Sequence, residues 1–80
     1  MFAEGAIDGL IAFAQERIRQ RPNDSHAHWY LARAYYQQES WSEALEEFNK
    51  VGRLEPSWIN THVKPYVEAI KRRVRAEQTE

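Results

Sequence analysis

The stretch that decides the fold is residues 25–56, SHAHWYLARAYYQQESWSEALEEFNKVGRLEP. Two runs of apolar and small side chains recur in it at helical spacing: Leu31, Ala32 and Tyr35, then Trp41, Ala44, Leu45, Phe48 and Val51. Between the runs, Ser40 stands three residues before Glu43, which is the spacing of a capping box. The stretch therefore predicts two helices joined by a tight turn.

Small residues indicate how these two helices meet. Ala32 and Ala44 allow two antiparallel helices to approach closely, while Tyr35, Leu45 and Phe48 fill the volume on either side of that contact. The pattern predicts an antiparallel helix pair with a close central contact.

A third helix is predicted before this pair, at residues 3–21. Its apolar stripe follows an i, i+3, i+4, i+7, i+11 rule: Ile7, Leu10, Ile11, Ala14 and Ile18. Pro22 should end the helix, because the residue before a proline disfavours the α region. Asn23, Asp24 and Ser25 then offer side-chain oxygens that cap the next helix.

A fourth helical segment is predicted at residues 57–76, with Ser57 as its cap. Its apolar stripe is Val63, Val67, Ile70 and Val74. Pro65 removes one backbone donor, so the segment should kink near Pro65 or restart there as a new helix. Pro56 separates this segment from the central pair.

Composition places the chain among small helical domains. It has 80 residues, 42% of them apolar, with three Gly, three Pro and no stretch that alternates like a strand. Residues 1–80 are therefore predicted to form a single all-α domain. The net charge of −1 disfavours nucleic-acid binding, and the absence of Cys excludes disulfides and thiolate chemistry. We expect no signal peptide and no membrane insertion, which leaves the compartment unknown and cytoplasmic by default.

The central stretch resembles a tetratricopeptide repeat. That family's pattern is Trp, two residues, Leu-Gly, two residues, Tyr, later Ala, three residues, Phe, and finally Pro. The matching positions here are His28, Leu31-Ala32, Tyr35, Ala44, Phe48 and Pro56. His28 stands in place of the usual Trp, and Glu39 stands where Gly usually closes the turn, which predicts a slightly strained or altered turn. The resemblance implies a fragment of a right-handed solenoid with about four helices, the outer two covering the repeat at 25–56.

The same resemblance implies a binding groove on the first helix of the repeat. The face that would line it carries His26, Trp29, Arg33, Tyr36 and Gln37. Trp, Tyr and Arg are enriched at binding hot spots, so a protein or peptide ligand is the implied partner. The alternative is that Trp29 and Tyr36 pack within the domain, against the first helix or the C-terminal cap.

No arrangement of residues in the sequence indicates an enzyme, a cofactor or a metal site. There is no nucleophile–base pair and no Gly-rich phosphate loop. His26 and His28 are two residues apart on a helix and point to different faces, and His62 has no partner at helical spacing. The basic cluster Lys71, Arg72, Arg73 and Arg75 is sufficiently explained by the helix dipole, with a weak contact to anionic lipid or an acidic partner as the alternative.

The leading functional hypothesis is a protein–protein interaction scaffold centred on Trp29, Arg33 and Tyr36. Two alternatives remain open. In the first, the chain is a self-associating structural module that forms a homodimer through an exposed terminal stripe, Ile7–Ile18 or Val63–Val74. In the second, it is an accessory domain from a larger membrane-attached protein.

Overall fold

The computed structural model describes the backbone of residues 4–78 and the side-chain surroundings of residues 6–76. Its elements are α1 Glu4–Gln20, α2 Ser25–Gln37, α3 Trp41–Leu54, a 3₁₀ turn Pro56–Trp58, a π-helical turn Ile59–Val63 and α4 Lys64–Gln78. The all-α prediction is confirmed, and the four helices pack antiparallel in a compact globule. The predicted start of the first helix at residue 3 lies outside the described residues.

The turn between α1 and α2 is built around Asp24, as the cap prediction required. Its carboxylate accepts the Ala27 amide at 3.1 Å and binds the Arg17 guanidinium at 3.0 Å. The Ala27 amide and then Arg17 hold the pKa of Asp24 below its ordinary value, although partial burial acts the other way. A lowered pKa means that this carboxylate stabilises the fold above the ordinary Asp pKa, and that the stabilisation is lost as the pH falls through the lower, folded-state value.

The turn between α2 and α3 is a Schellman motif closed by a residue other than glycine. The Glu39 amide donates to the Tyr36 carbonyl at 3.0 Å, and the Ser40 amide donates to the Tyr35 carbonyl at 2.9 Å. Glu39 has a φ of 61°, in the left-handed region that glycine adopts without steric cost. The strained turn expected from the sequence is confirmed.

Replacing Glu39 with glycine should therefore stabilise the protein. An L-residue in the left-handed conformation costs about 1 kcal/mol, and glycine removes that cost without disturbing the two turn hydrogen bonds. We expect Glu39→Gly to raise the melting temperature by about 5 °C. Gln38→Gly is the matched control, because Gln38 has a φ of −83° and gains nothing from glycine. Equal melting temperatures for the two variants would contradict the strain argument.

The predicted capping box at the start of α3 is wrong in its hydrogen bonds. Ser40 does occupy the N-cap position, but its side chain makes no capping hydrogen bond. The Ser40 amide is hydrogen-bonded to the Tyr35 carbonyl in the Schellman turn, and its backbone has φ −84° and ψ 76°. The end of α2 therefore fixes where α3 begins, without a hydrogen bond from the Ser40 side chain. Ser57 also does not cap α4, since it lies inside the 3₁₀ turn.

The passage from α3 to α4 shows how the chain accommodates Pro65. A proline ring clashes with the carbonyl four residues earlier and donates no hydrogen bond. The chain widens into a π-helical turn just before this point, and the Lys64 amide donates to the Ile59 carbonyl. Pro65 then stands second in α4, in the first turn, where no donor is needed. The predicted restart of the helix near Pro65 is confirmed, one residue earlier than expected.

The core lies where α2, α3 and the C-terminal segment meet. Six fully or nearly fully buried residues form it: Ala32, Ala44, Phe48, Val51, Val63 and Ile70. The stripe Val63–Val74, considered above as an exposed docking surface, therefore packs inside the domain. Of the predicted α1 stripe, Ile7, Ile11 and Ile18 are half-buried and Ala14 is buried, because α1 packs against α2. The prediction is wrong for Leu10, which is 39% exposed at the edge of that contact.

Candidate partner-binding face

The five residues of the implied groove divide between two sides of α2. His26, Arg33 and Gln37 are exposed along one stripe, whereas Trp29 and Tyr36 are half-buried on the adjoining side. Since residues 26, 33 and 37 recur at i, i+7 and i+11, they share one face of the helix. The structure thus does not bring all five residues together on one open surface.

Trp29 lies at the centre of an aromatic cluster that joins α2 to the C-terminal segment. Its ring centroid is 5.5 Å from that of Phe48, 5.4 Å from Tyr66 and 5.6 Å from His62. All three contacts are edge-to-face, the arrangement that aromatic quadrupoles favour. The ring centroid of Trp58 lies 6.5 Å from that of Trp29.

Tyr36 extends the same cluster one turn past Ala32. Its ring lies 5.5 Å from that of Trp41 and 5.1 Å from that of Tyr66. Of the two readings of Trp29 and Tyr36, the structure shows packing against the C-terminal segment. Binding of a partner by these two side chains stays a prediction, and any partner would reach only their exposed edges.

A valley between α1 and α2 carries most of the large exposed apolar surface. A pocket of about 390 Å³ occupies the part of the valley near the start of α1 and the end of α2, and its lining is Ala6, Ile7, Leu10, Tyr30, Arg33, Ala34 and Gln37. Leu10 and Tyr30 keep 39% and 45% of their surface exposed, and Phe13, one turn further along α1, keeps 58%. We call this surface, residues 6–17 of α1 with residues 26–37 of α2, the α1–α2 valley.

The charged side chains that line the pockets of the α1–α2 valley are Arg33, Arg17, Arg21 and Asp24, whereas Asp8 and Glu16 of α1 pair outside it with Gln38 and Arg19. Arg33 projects at one end, and Arg17, Arg21 and His26 border a polar depression at the other. Within the described residues, the side chains of Arg21 and Arg33 make no hydrogen bond or ion pair, whereas Arg17 is held by Asp24. The valley thus combines an apolar middle with unpaired guanidinium groups.

A buried polar pair that the sequence did not predict lies on the opposite side of α2. His28 Nδ1 is 2.6 Å from Glu47 Oε1, and His28 Nε2 is 2.8 Å from the Pro22 carbonyl oxygen. Both partners are oxygens, so both contacts are satisfied by an imidazolium, or by a neutral ring with a proton on Glu47. Each residue stands on its helix's apolar stripe, which was the signal available in the sequence.

This pair joins three parts of the chain but offers no accessible reactive group. It links the α1–α2 turn to α2 and α3, and His28 and Glu47 are 4% and 8% exposed. Lys50 adds a longer contact of 3.7 Å to the other carboxylate oxygen of Glu47. Because both ring nitrogens of His28 and both carboxylate oxygens of Glu47 already have partners, we assign the pair a structural role.

Metal ions, membranes and anionic partners each require a different surface, and the part of the chain that the structure describes bears on all three. Among those residues, no three or more His, Cys, Asp or Glu side chains converge as a metal site would require. No helix among residues 4–78 is long and apolar enough to cross a bilayer. Lys71, Arg72 and Arg73 lie exposed on α4.

No protein-family model, curated protein or solved structure matches the chain.

Proposed function

We propose that this chain is a protein–protein interaction module of the tetratricopeptide-repeat type. The observation that carries the proposal is the α1–α2 valley. Three of the four large apolar side chains exposed on the described surface, Leu10, Phe13 and Tyr30, lie along it. Contiguous apolar surface rimmed by polar groups is typical of a site where another protein binds.

The helix pair at 25–56 supports the tetratricopeptide assignment. Ala32 and Ala44 are both fully buried at its centre, and Phe48 fills the space beside them, as the motif requires. The flanking helices α1 and α4 cover its two sides, which a single repeat needs in order to bury its faces. In our proposal these four helices form a fragment of a right-handed solenoid.

The exposed groups of α2 are suited to recognition. Arg33 offers a planar guanidinium with five donors, and Gln37, one turn further on, offers an amide with two donors and an acceptor. Tyr30 adds an aromatic face that buries much area at low entropic cost. We propose no catalytic role. The polar pair that most resembles a catalytic one, His28 with Glu47, is buried and holds helices together.

The test is capture of partners from a lysate of the source organism by the wild-type chain and by Arg33→Glu. The matched control is Arg53→Glu, a charge reversal at an exposed site on α3. We expect a specific partner to bind wild type and Arg53→Glu and to be lost, at least ten-fold, from Arg33→Glu. Circular dichroism checks that all three proteins are folded.

Two outcomes would contradict the proposal. Capture of the same partner by all three proteins would remove the α2 face from the binding site. Capture of nothing except further copies of the chain would favour a self-associating module, for which the exposed Leu10 and Phe13 of α1 are the available contact.

A further inference from the structure

The α1–α2 valley is a groove between two helices, and its shape suits the packing of one more helix. Two roughly antiparallel helices form its walls, and the side chains that line it recur at helical spacing on both: Ala6, Leu10, Phe13 and Arg17 on α1, and Tyr30, Arg33 and Gln37 on α2. His26 stands at the end of the valley with its ring against Trp58, at a centroid distance of 5.2 Å. None of the described elements covers it. From His26 to Gln37, α2 rises about 16 Å, which is three turns of an occupying helix.

The protein already shows how a helix sits in such a valley. On its other side, α2 lies against α3 and the C-terminal segment, and it fills the space between them with Trp29 and Tyr36. Phe48 of α3 and Tyr66 of α4 receive these rings. The α1–α2 valley likewise presents an aromatic and aliphatic surface between two helices, and there it is open.

The positive charge at the two ends of the valley favours an acidic partner segment over a basic one. Arg33 and Arg21 stand at opposite ends without a side-chain partner among the described residues, and Arg17 also borders the surface. The carboxylate at this border, Asp24, is already bound to Arg17 and to a backbone amide. An apolar segment with carboxylates at its flanks would pair these guanidinium groups, whereas a basic segment would be repelled.

A second copy of the chain does not supply that complement from its described surface. Its exposed acidic group on and before α3, Glu39, Glu43 and Glu46, has no large exposed apolar side chain beside it. The large apolar side chains that are exposed lie in the valley itself, apart from Ile59. Two copies meeting through their valleys would bring Arg33 and Arg21 of each close to like charges.

We propose that the α1–α2 valley binds an amphipathic α-helix of another protein, about three turns long, with an apolar face and acidic flanks. This inference rests on the proposed function and specifies the partner's chemistry. The apolar face covers Leu10, Phe13 and Tyr30, and carboxylates of the helix accept hydrogen bonds from Arg33 at one end and Arg21 at the other.

The experiment is a titration of the isotope-labelled full chain with synthetic helical peptides, followed by nuclear magnetic resonance. The probe is a 16-residue Ala-based peptide with Leu at i, i+4, i+7 and i+11 and Glu on both sides of that stripe. A second peptide carries Lys at every Glu position. We expect the Glu peptide to shift the signals of residues 6–17 and 26–37, and to bind at least ten-fold more tightly than the Lys peptide.

Variants of the chain connect the preference to the valley. Arg33→Glu should reduce or reverse the preference for the Glu peptide, and the surface control Arg53→Glu should keep it. Tyr30→Ala should weaken both peptides about equally, because it removes apolar contact and leaves the charges in place. Binding of both peptides with equal affinity, shifts confined to other surfaces, or a dimer whose valley signals resist both peptides would overturn the inference.

This titration and the capture experiment fail independently. A partner that is captured through Arg33 while neither peptide binds the valley would leave the proposed function standing and refute a helical, acidic ligand. The opposite result is peptide binding in the valley with no partner captured from the lysate. It would support the preference of the valley for an acidic helix and contradict the proposed interaction with a protein of that lysate.

Discussion

Replacing Trp29 with alanine is expected to lower the free energy of unfolding by about 3 kcal/mol. The substitution removes an indole that contacts rings of α3, the π-helical turn and α4, and it leaves a cavity between them. For a domain of 80 residues, whose total stability is of order 4–12 kcal/mol, this loss is a large fraction. The measurement is chemical denaturation followed by circular dichroism.

The neighbouring residue provides the control. Tyr30 is also aromatic and on the same helix, but it faces the α1–α2 valley and is 45% exposed. Tyr30→Ala should change the free energy of unfolding by about 0.5 kcal/mol, as surface substitutions usually do. If Trp29→Ala proved as mild as Tyr30→Ala, the aromatic cluster would not be what holds the C-terminal segment in place.

Removing the Glu47 carboxylate is expected to have an effect of similar size. Glu47→Ala leaves the His28 ring buried with one nitrogen facing no partner, and breaking one side of a buried pair costs about 3 kcal/mol. Glu46→Ala, at the exposed position beside it, should be nearly neutral. Thermal and chemical unfolding of the two variants would measure the difference.

A double-mutant cycle measures the interaction between His28 and Glu47 separately from what each residue contributes alone. In the variant His28→Leu/Glu47→Leu both polar groups are gone, and a packed apolar contact between α2 and α3 replaces them. We expect this protein to recover part of the stability lost by Glu47→Ala, because no buried imidazole is left unpaired, although the Pro22 carbonyl loses its donor. Additive losses from the two single changes to leucine would show that the two residues act separately.

Several features of the fold could be predicted from the sequence because their causes are local. Pro22 and Pro65 cannot continue or cross an ordinary helix, so the chain ends or rearranges one near each. Asp24 caps α2 because its short carboxylate reaches an amide three residues away. Glu39 is left-handed because the Schellman turn requires that conformation whatever residue occupies it.

The candidate site was harder to predict, because it depends on where the neighbouring helices lie. Arg33 and Gln37 were predicted on an exposed face and are found there, beside the valley. Trp29 and Tyr36 were placed on that same face, but the C-terminal segment covers them. Leu10 was predicted on the apolar stripe of α1 and is 39% exposed beside the valley, whereas Tyr30 lies off the predicted stripe of α2 and borders the valley only because α1 packs next to it.

The sequence by itself determined that the chain is all-α, that a helix ends near Pro22 and that the last helix restarts near Pro65, because helical periodicity, caps and prolines act within a few residues of chain. Only the tertiary structure decided which of two adjacent aromatics, Trp29 or Tyr30, is covered, since they lie about 100° apart on α2 and a different neighbour faces each. It also paired His28 with Glu47, 19 residues away along the chain. Such pairings depend on helix packing, and that packing sums many small contacts between residues distant in sequence.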